Sequence, residues 1–251
     1  MAGEIRLDTQ GRVSIVTLSN PDKLNAMTRD MWRDLQDVFR QVQDGSEGRC
    51  VLVRGQGGTF CAGGDIAEYP DFRFDEVSLR AFHEDEVWGG LSAILDCDVP
   101  VVAQIDGACM GAGIEIASCC DLRIAGDSAK FGAPIAKLGF PMAPREAKVV
   151  ARAAGELTLR EMLLESAVLP AAEMKARGFL NLVCPDGETA ARARSTAGRI
   201  ASLSPQAARM NKQTLRAVAS GANIAGAYRY ADSVEHREGI MAFLEKRPPR
   251  F

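Results

Sequence analysis

Glu115 is the one charged residue in a run of small and apolar side chains, Gly107-Ala-Cys-Met-Gly-Ala-Gly-Ile-Glu-Ile-Ala-Ser-Cys-Cys120. Two roles suit a carboxyl there. It either answers the positive end of a helix dipole or serves as a general acid/base beside an electrophilic pocket. Apolar flanks raise its pKa toward values useful for proton transfer. Gly107, Gly111 and Gly113 let a ligand approach the main chain closely, and a helix start leaves donors free. A second glycine turn lies upstream, in Gln56-Gly-Gly-Thr-Phe-Cys-Ala-Gly-Gly-Asp-Ile66. Two such turns, each giving one N–H to a single oxygen, meet the requirement of an oxyanion hole: fixed donors about 3 Å from a developing negative charge. One glycine turn alone says little, because turns use glycine for steric reasons. His83 is a weaker candidate, since a lone histidine on an amphipathic helix commonly packs or faces water. Asp121 closes the helix that Glu115 opens. Arg145 and Glu146 begin a later helix, where a first-turn acid is expected on dipole grounds alone.

Both turns must be carried by strands. Cys50–Gly55 leads into the first, and Val101–Ile105, bounded by Pro100, leads into the second. Before them, Ile5–Leu7 and Val13–Leu18 read as a β-hairpin turning at Gly11. Thr28 N-caps a helix with a stripe of Met31, Trp32, Leu35, Val38, Phe39 and Val42, closed by Gly45. Residues 66–80, broken by Pro70 and lacking a core period, read as a mobile loop. A helix over 76–95 follows, with Leu79, Phe82, Val87, Leu91 and Ile94 inward. After the organising helix come a strand at Leu122–Ala125, a strand entering a turn over 130–135, and a loop fixed by Pro141 and Pro144. Helices are expected over 145–154, 157–165, 171–177, 187–203, 205–220 and 223–236, with a strand at 179–183. This divides the chain into a βαβ-rich core over 1–185 and a helical region over 186–251. The latter is too poor in apolar residues to bury itself and must pack on the core or on another subunit.

Phe60-Cys-Ala-Gly-Gly-Asp-Ile66 and Gly107-Ala-Cys-Met-Gly-Ala-Gly-Ile-Glu-Ile116, in that order, closely resemble the crotonase (enoyl-CoA hydratase/isomerase) superfamily. The resemblance runs from Asn20-Pro-Asp-Lys-Leu-Asn-Ala26 to Glu238–Arg247. It implies an α/β fold, a crotonase-like spiral of ββα units with a C-terminal helical oligomerisation region, and a homotrimer or dimer of trimers. It also implies an acyl-CoA thioester as substrate, with no cofactor besides the coenzyme A that the substrate carries. The oxyanion-hole donors fall on the N–H groups of Gly64 and Ala112, and Glu115 matches one of two catalytic glutamates. The second glutamate's place, after Phe131-Gly-Ala-Pro134, holds Ile135, whose alkyl side chain neither activates water nor protonates a carbanion. Ala62, Asp65, Ile66 and Ala67 match the path of the adenine and pantetheine, and Ile135 lies against the acyl group. Lys23 matches a position near the phosphates. Phe243 and Lys246 match an aromatic and a lysine that reach the nucleotide, often from another subunit.

The net charge of −3 and the absence of a basic patch interleaved with aromatics speak against nucleic acid. No apolar run approaches bilayer length, and the first residues lack a signal-type apolar region. Seven cysteines, odd in number and set in apolar segments, suit reduced thiols in a cytoplasmic protein. Cys119-Cys120 lacks zinc-ligand spacing, so no metal is expected. The leading expectation is an enzyme that stabilises a thioester enolate with Glu115 as its acid/base. With one acid, isomerisation or decarboxylation stands beside hydration. A non-catalytic homologue that binds acyl-CoA or RNA is the alternative class. The acyl group is set by the 66–80 loop, the 135–145 loop and the helical region.

Overall fold

The computed structural model describes residues 3–45 and 48–251. A six-stranded sheet has β1 (Glu4–Gln10), β2 (Val13–Ser19), β3 (Cys50–Gly55), β4 (Val101–Ile105), β6 (Leu122–Gly126) and β9 (Leu182–Cys184) as neighbours in that order. Only β1 and β2 are antiparallel, joined through Gly11 at φ +60° as the hairpin pattern predicts. The remaining pairs are parallel. A second, three-stranded sheet has β5 (Ala108–Met110), β7 (Lys130–Gly132) and β8 (Val168–Pro170) in order. The spiral is visible in this order. Chain leaves a strand of the large sheet, adds a short strand to the small one, and returns through a helix, as in β4, β5 and then α4 (Ala112–Cys119).

The parallel strands are apolar on both faces because both are covered. Val51, Val53, Val101, Ala103 and Ile105 join the main core, while the alternating Ile15, Leu52, Val102 and Ile124 join a second cluster. Thr189–Ala201 (α8) seals that second face with Ala193, Ala197 and Ala201. On the other side, α1 (Arg29–Asp44) buries Met31, Trp32, Leu35, Phe39 and Val42. Thr28 caps it by accepting the Met31 N–H at 3.2 Å, a bond of the kind that stabilises by about 1 kcal/mol.

The segment expected to be a mobile loop over 66–80 has helical structure instead. Ile66–Asp71 is a 3₁₀ turn capped by Asp65, Phe72 is buried, and α2 (Glu76–Ala81) begins behind Asp75. Tyr69 and Phe72 meet edge to face at 5.9 Å and Phe72 packs on Phe82 at 4.6 Å, contacts that tie the segment to the next helix. From α2 the chain passes through a π turn, Phe82–Val87, into α3 (Trp88–Asp96). Then follow α5 (Pro144–Ala154), α6 (Glu156–Leu164), α7 (Ala171–Ala176) and α9 (Pro205–Ser220). The helix expected over 223–236 is instead a series of turns, with Gly226 at φ +84°. The last helix, α10, spans Val234–Leu244 behind the cap Ser233. No helix among the described residues is long and apolar enough to cross a membrane.

Candidate active site

The two glycine turns lie side by side because the residues before them pair. Cys61 N–H donates to the Ala108 carbonyl and Met110 N–H to the Cys61 carbonyl, both at 2.9 Å, which makes Cys61 and Cys109 neighbours in a parallel bridge. The chain before the first turn thus acts as a one-residue strand on the edge of β5. Glycine is needed where the turns touch, since a Cβ on Gly113 would lie 2.6 Å from the Cys61 carbonyl oxygen. Gly111 ends the second turn at φ +47°, ψ −112°, and α4 starts at Ala112. The first-turn N–H groups of a helix have no partner within it. Neither the Ala112 nor the Gly64 N–H makes a main-chain hydrogen bond among the described residues.

Both turns border a cavity of about 190 Å³, and Glu115 projects into it from the first turns of α4. Glu115 is 7% exposed. Burial first, and the nearby Glu146 second, push its carboxyl well above the ordinary value of 4.5, and Arg73 opposes them. Tyr69 stands against Gly64: a Cβ there would meet the Tyr69 Oη at 2.2 Å. Burial raises the Tyr69 phenol to about 12, so it stays neutral.

Glu146, set aside from the sequence as an ordinary helix-start acid, is 4% exposed and lines the same cavity. The site therefore has a second carboxyl, supplied by α5 instead of position 135. The signal was present in the sequence: Glu146, Val150 and Ala154 repeat every four residues and form the buried face of α5. His83, on the π turn, also lines the cavity and places Nδ1 2.7 Å from Glu146 Oε1. Such turns recur at functional sites because they re-aim side chains within a helix.

Of the other residues singled out from the sequence, Ala62, Ile66 and Ile135 line the cavity. Asp65 does not, and its carboxylate accepts the Ala67 N–H at 3.2 Å and the Lys23 Nζ at 2.6 Å. Lys23 is thus tied one residue beyond Gly64. Phe243 is 82% exposed on α10, and Lys246 follows that helix with φ +53°. Neither borders the cavity of its own chain. All seven cysteines are buried and unpaired. Among the described residues no grouping of His, Cys, Asp or Glu is suited to hold a metal ion.

Parallel spiral, paired glycine turns and buried carboxyl together define a crotonase-type fold, and residues 8–251 match the enoyl-CoA hydratase/isomerase family. The chain belongs to that family. A crystal structure of an enoyl-CoA hydratase/carnithine racemase from Magnetospirillum magneticum superimposes with a TM-score of 0.94 at 34% identity, over 98% of this chain and 94% of that one. The Mycobacterium tuberculosis protein named "Probable enoyl-CoA hydratase echA8" is 31% identical, over 98% of this chain and 97% of its own. The short-chain-enoyl-CoA hydratase of Clostridium acetobutylicum is 28% identical, over 96% of this chain and 94% of its own.

Proposed function

We propose that this family member adds water to an enoyl-CoA thioester, or removes it, using two carboxyls instead of one. The observation that carries the reading is Glu115 and Glu146 in one cavity with two unpartnered main-chain donors. The thioester carbonyl accepts from the Gly64 and Ala112 N–H groups, which gain strength as the oxygen becomes an enolate. Glu146, oriented by His83, takes the proton of a water as that water's oxygen bonds the β-carbon. The electron pair moves through the α-carbon to the thioester oxygen. Glu115, whose pKa burial pushes up, returns a proton to the α-carbon as the carbonyl re-forms. Burial first and the neighbouring Glu146 second favour the protonated form of Glu115, which suits it to the donor's part. Ile135 then shapes the acyl side and leaves no acid missing.

Crotonyl-CoA hydration in wild type, Glu115→Gln and Glu146→Gln tests this. Each variant is expected to lose about 10²–10⁴-fold in kcat. Full turnover by Glu146→Gln would restore the single-acid reading.

We also infer assembly into a trimer or dimer of trimers. Support comes from α9, α10 and the turns between them, where Leu215, Val218, Tyr228, Val234, Phe243 and Leu244 are each at least 67% exposed. Apolar exposure on that scale marks an interface. Phe243 and Lys246 would then serve a neighbour's nucleotide.

A further inference from the structure

Arg73 is the one lysine or arginine among the described residues that line the cavity. Its Cζ lies 4.3 Å from the Tyr69 ring centroid and 4.0 Å from that of Phe140. Those rings meet edge to face at 5.9 Å, so the guanidinium is gripped where the 66–75 segment touches the loop after Gly139. Lys23, Arg29, Arg33, Arg145 and Arg216 each have a carboxylate within ion-pair distance. Arg73 has none among the described residues, and its side chain makes no hydrogen bond there. The two rings, tilted 71° to each other, meet the guanidinium from adjacent sides, and such cation–aromatic contacts leave its N–H groups free to donate. That edge matches a carboxylate in two parallel bonds.

We propose that Arg73 anchors a carboxylate borne by the acyl group, so that the substrate is the coenzyme A monothioester of a short dicarboxylic acid. This rests on the thioester reading above. The glycine turns hold the carbonyl end of the acyl chain and Arg73 the far end, with Ile135 and Phe140 along its alkyl body. Burial raises the Glu115 pKa, which weakens its repulsion of the incoming anion. Tyr69 and Phe140 act as positioning residues for the guanidinium.

Titration calorimetry with saturated thioesters reads the anchor without any proton transfer. Succinyl-CoA and glutaryl-CoA are compared with butyryl-CoA and valeryl-CoA, which carry a methyl group in place of the terminal carboxylate. Wild type is expected to bind the better-fitting acidic thioester about 10- to 100-fold more tightly than its neutral counterpart, the range of a charged hydrogen-bonded pair. Arg73→Gln should erase that preference while leaving the neutral thioesters' Kd within about threefold, and Arg73→Lys should keep part of it. Equal affinity of wild type for both classes overturns the proposal. So does an Arg73→Gln variant that retains the preference, or one that weakens all four ligands alike. The Lys variant and a melting curve guard against a misfolded Gln variant. Failure of wild type to bind any of the four would refute the thioester reading itself, a result distinct from equal binding of both classes.

Discussion

A carboxyl sealed from water resists losing its proton, and at Glu115 that resistance has a thermodynamic sign. Its folded pKa is raised above 4.5, so its contribution to stability is fully present below that pH and is lost as pH rises through the folded value. Glutamine cannot ionise. The melting temperature of Glu115→Gln relative to wild type should therefore climb as pH increases from 5 to above neutrality, read by thermal denaturation across a buffer series. A flat difference would mean that the carboxyl is solvated. Gly64 offers a steric test. Gly64→Ala should lose most activity because its Cβ collides with the Tyr69 hydroxyl, and adding Tyr69→Phe should recover part of it, since the next ring atom is 3.2 Å away. A double variant no better than the single would place the damage in the backbone. Glu115 stood out in the sequence because it interrupts apolar neighbours. Glu146 did not, because a helix-start acid has an ordinary explanation and its membership of a buried face shows only through Val150 and Ala154.

At the scale of elements, the strands and helices with a strong period were legible, including β4, α1 and α9 to their caps. Short pieces were not. β5 is three residues inside what reads as a glycine turn, and it exists because Cys61 and Lys130–Gly132 flank it. The turns before α10 were misread because Gly221 and Gly226 sit in an otherwise helix-tolerant stretch. The long-range attachment of α9 was equally hidden. Lys212, 6% exposed, pairs with Asp121 at 2.8 Å and donates to the Val99 carbonyl at 3.1 Å. Arg216 gathers the Leu95, Asp96 and Cys97 carbonyls at the end of α3 and pairs with Asp98. Cations suit that helix end, where carbonyls are unpaired. Lys212→Ala should lower unfolding free energy by about 3 kcal/mol, the lower end for breaking a buried pair, because Asp121 keeps some water. Urea denaturation measures it, and a change under about 0.5 kcal/mol, the range of ordinary surface substitutions, would show α9 to be held by other contacts.

For the whole molecule, light scattering at micromolar concentration should give three or six times the 27.0 kDa chain mass. A monomer would remove both the assembly and the role of Lys246 at a neighbour's site. The order of the large sheet has its own kinetic consequence. Each parallel pair from β2 to β9 is joined through a crossover, so chain entropy is lost in closing long loops before pairing compensates. The groups around the cavity come from successive turns of the spiral, between Trp32 and Glu146, and no single turn holds enough of them to work. Refolding from denaturant should accordingly show helix signal early, burial of Trp32 later, and turnover last, in one slow phase that no shorter fragment of the spiral reproduces.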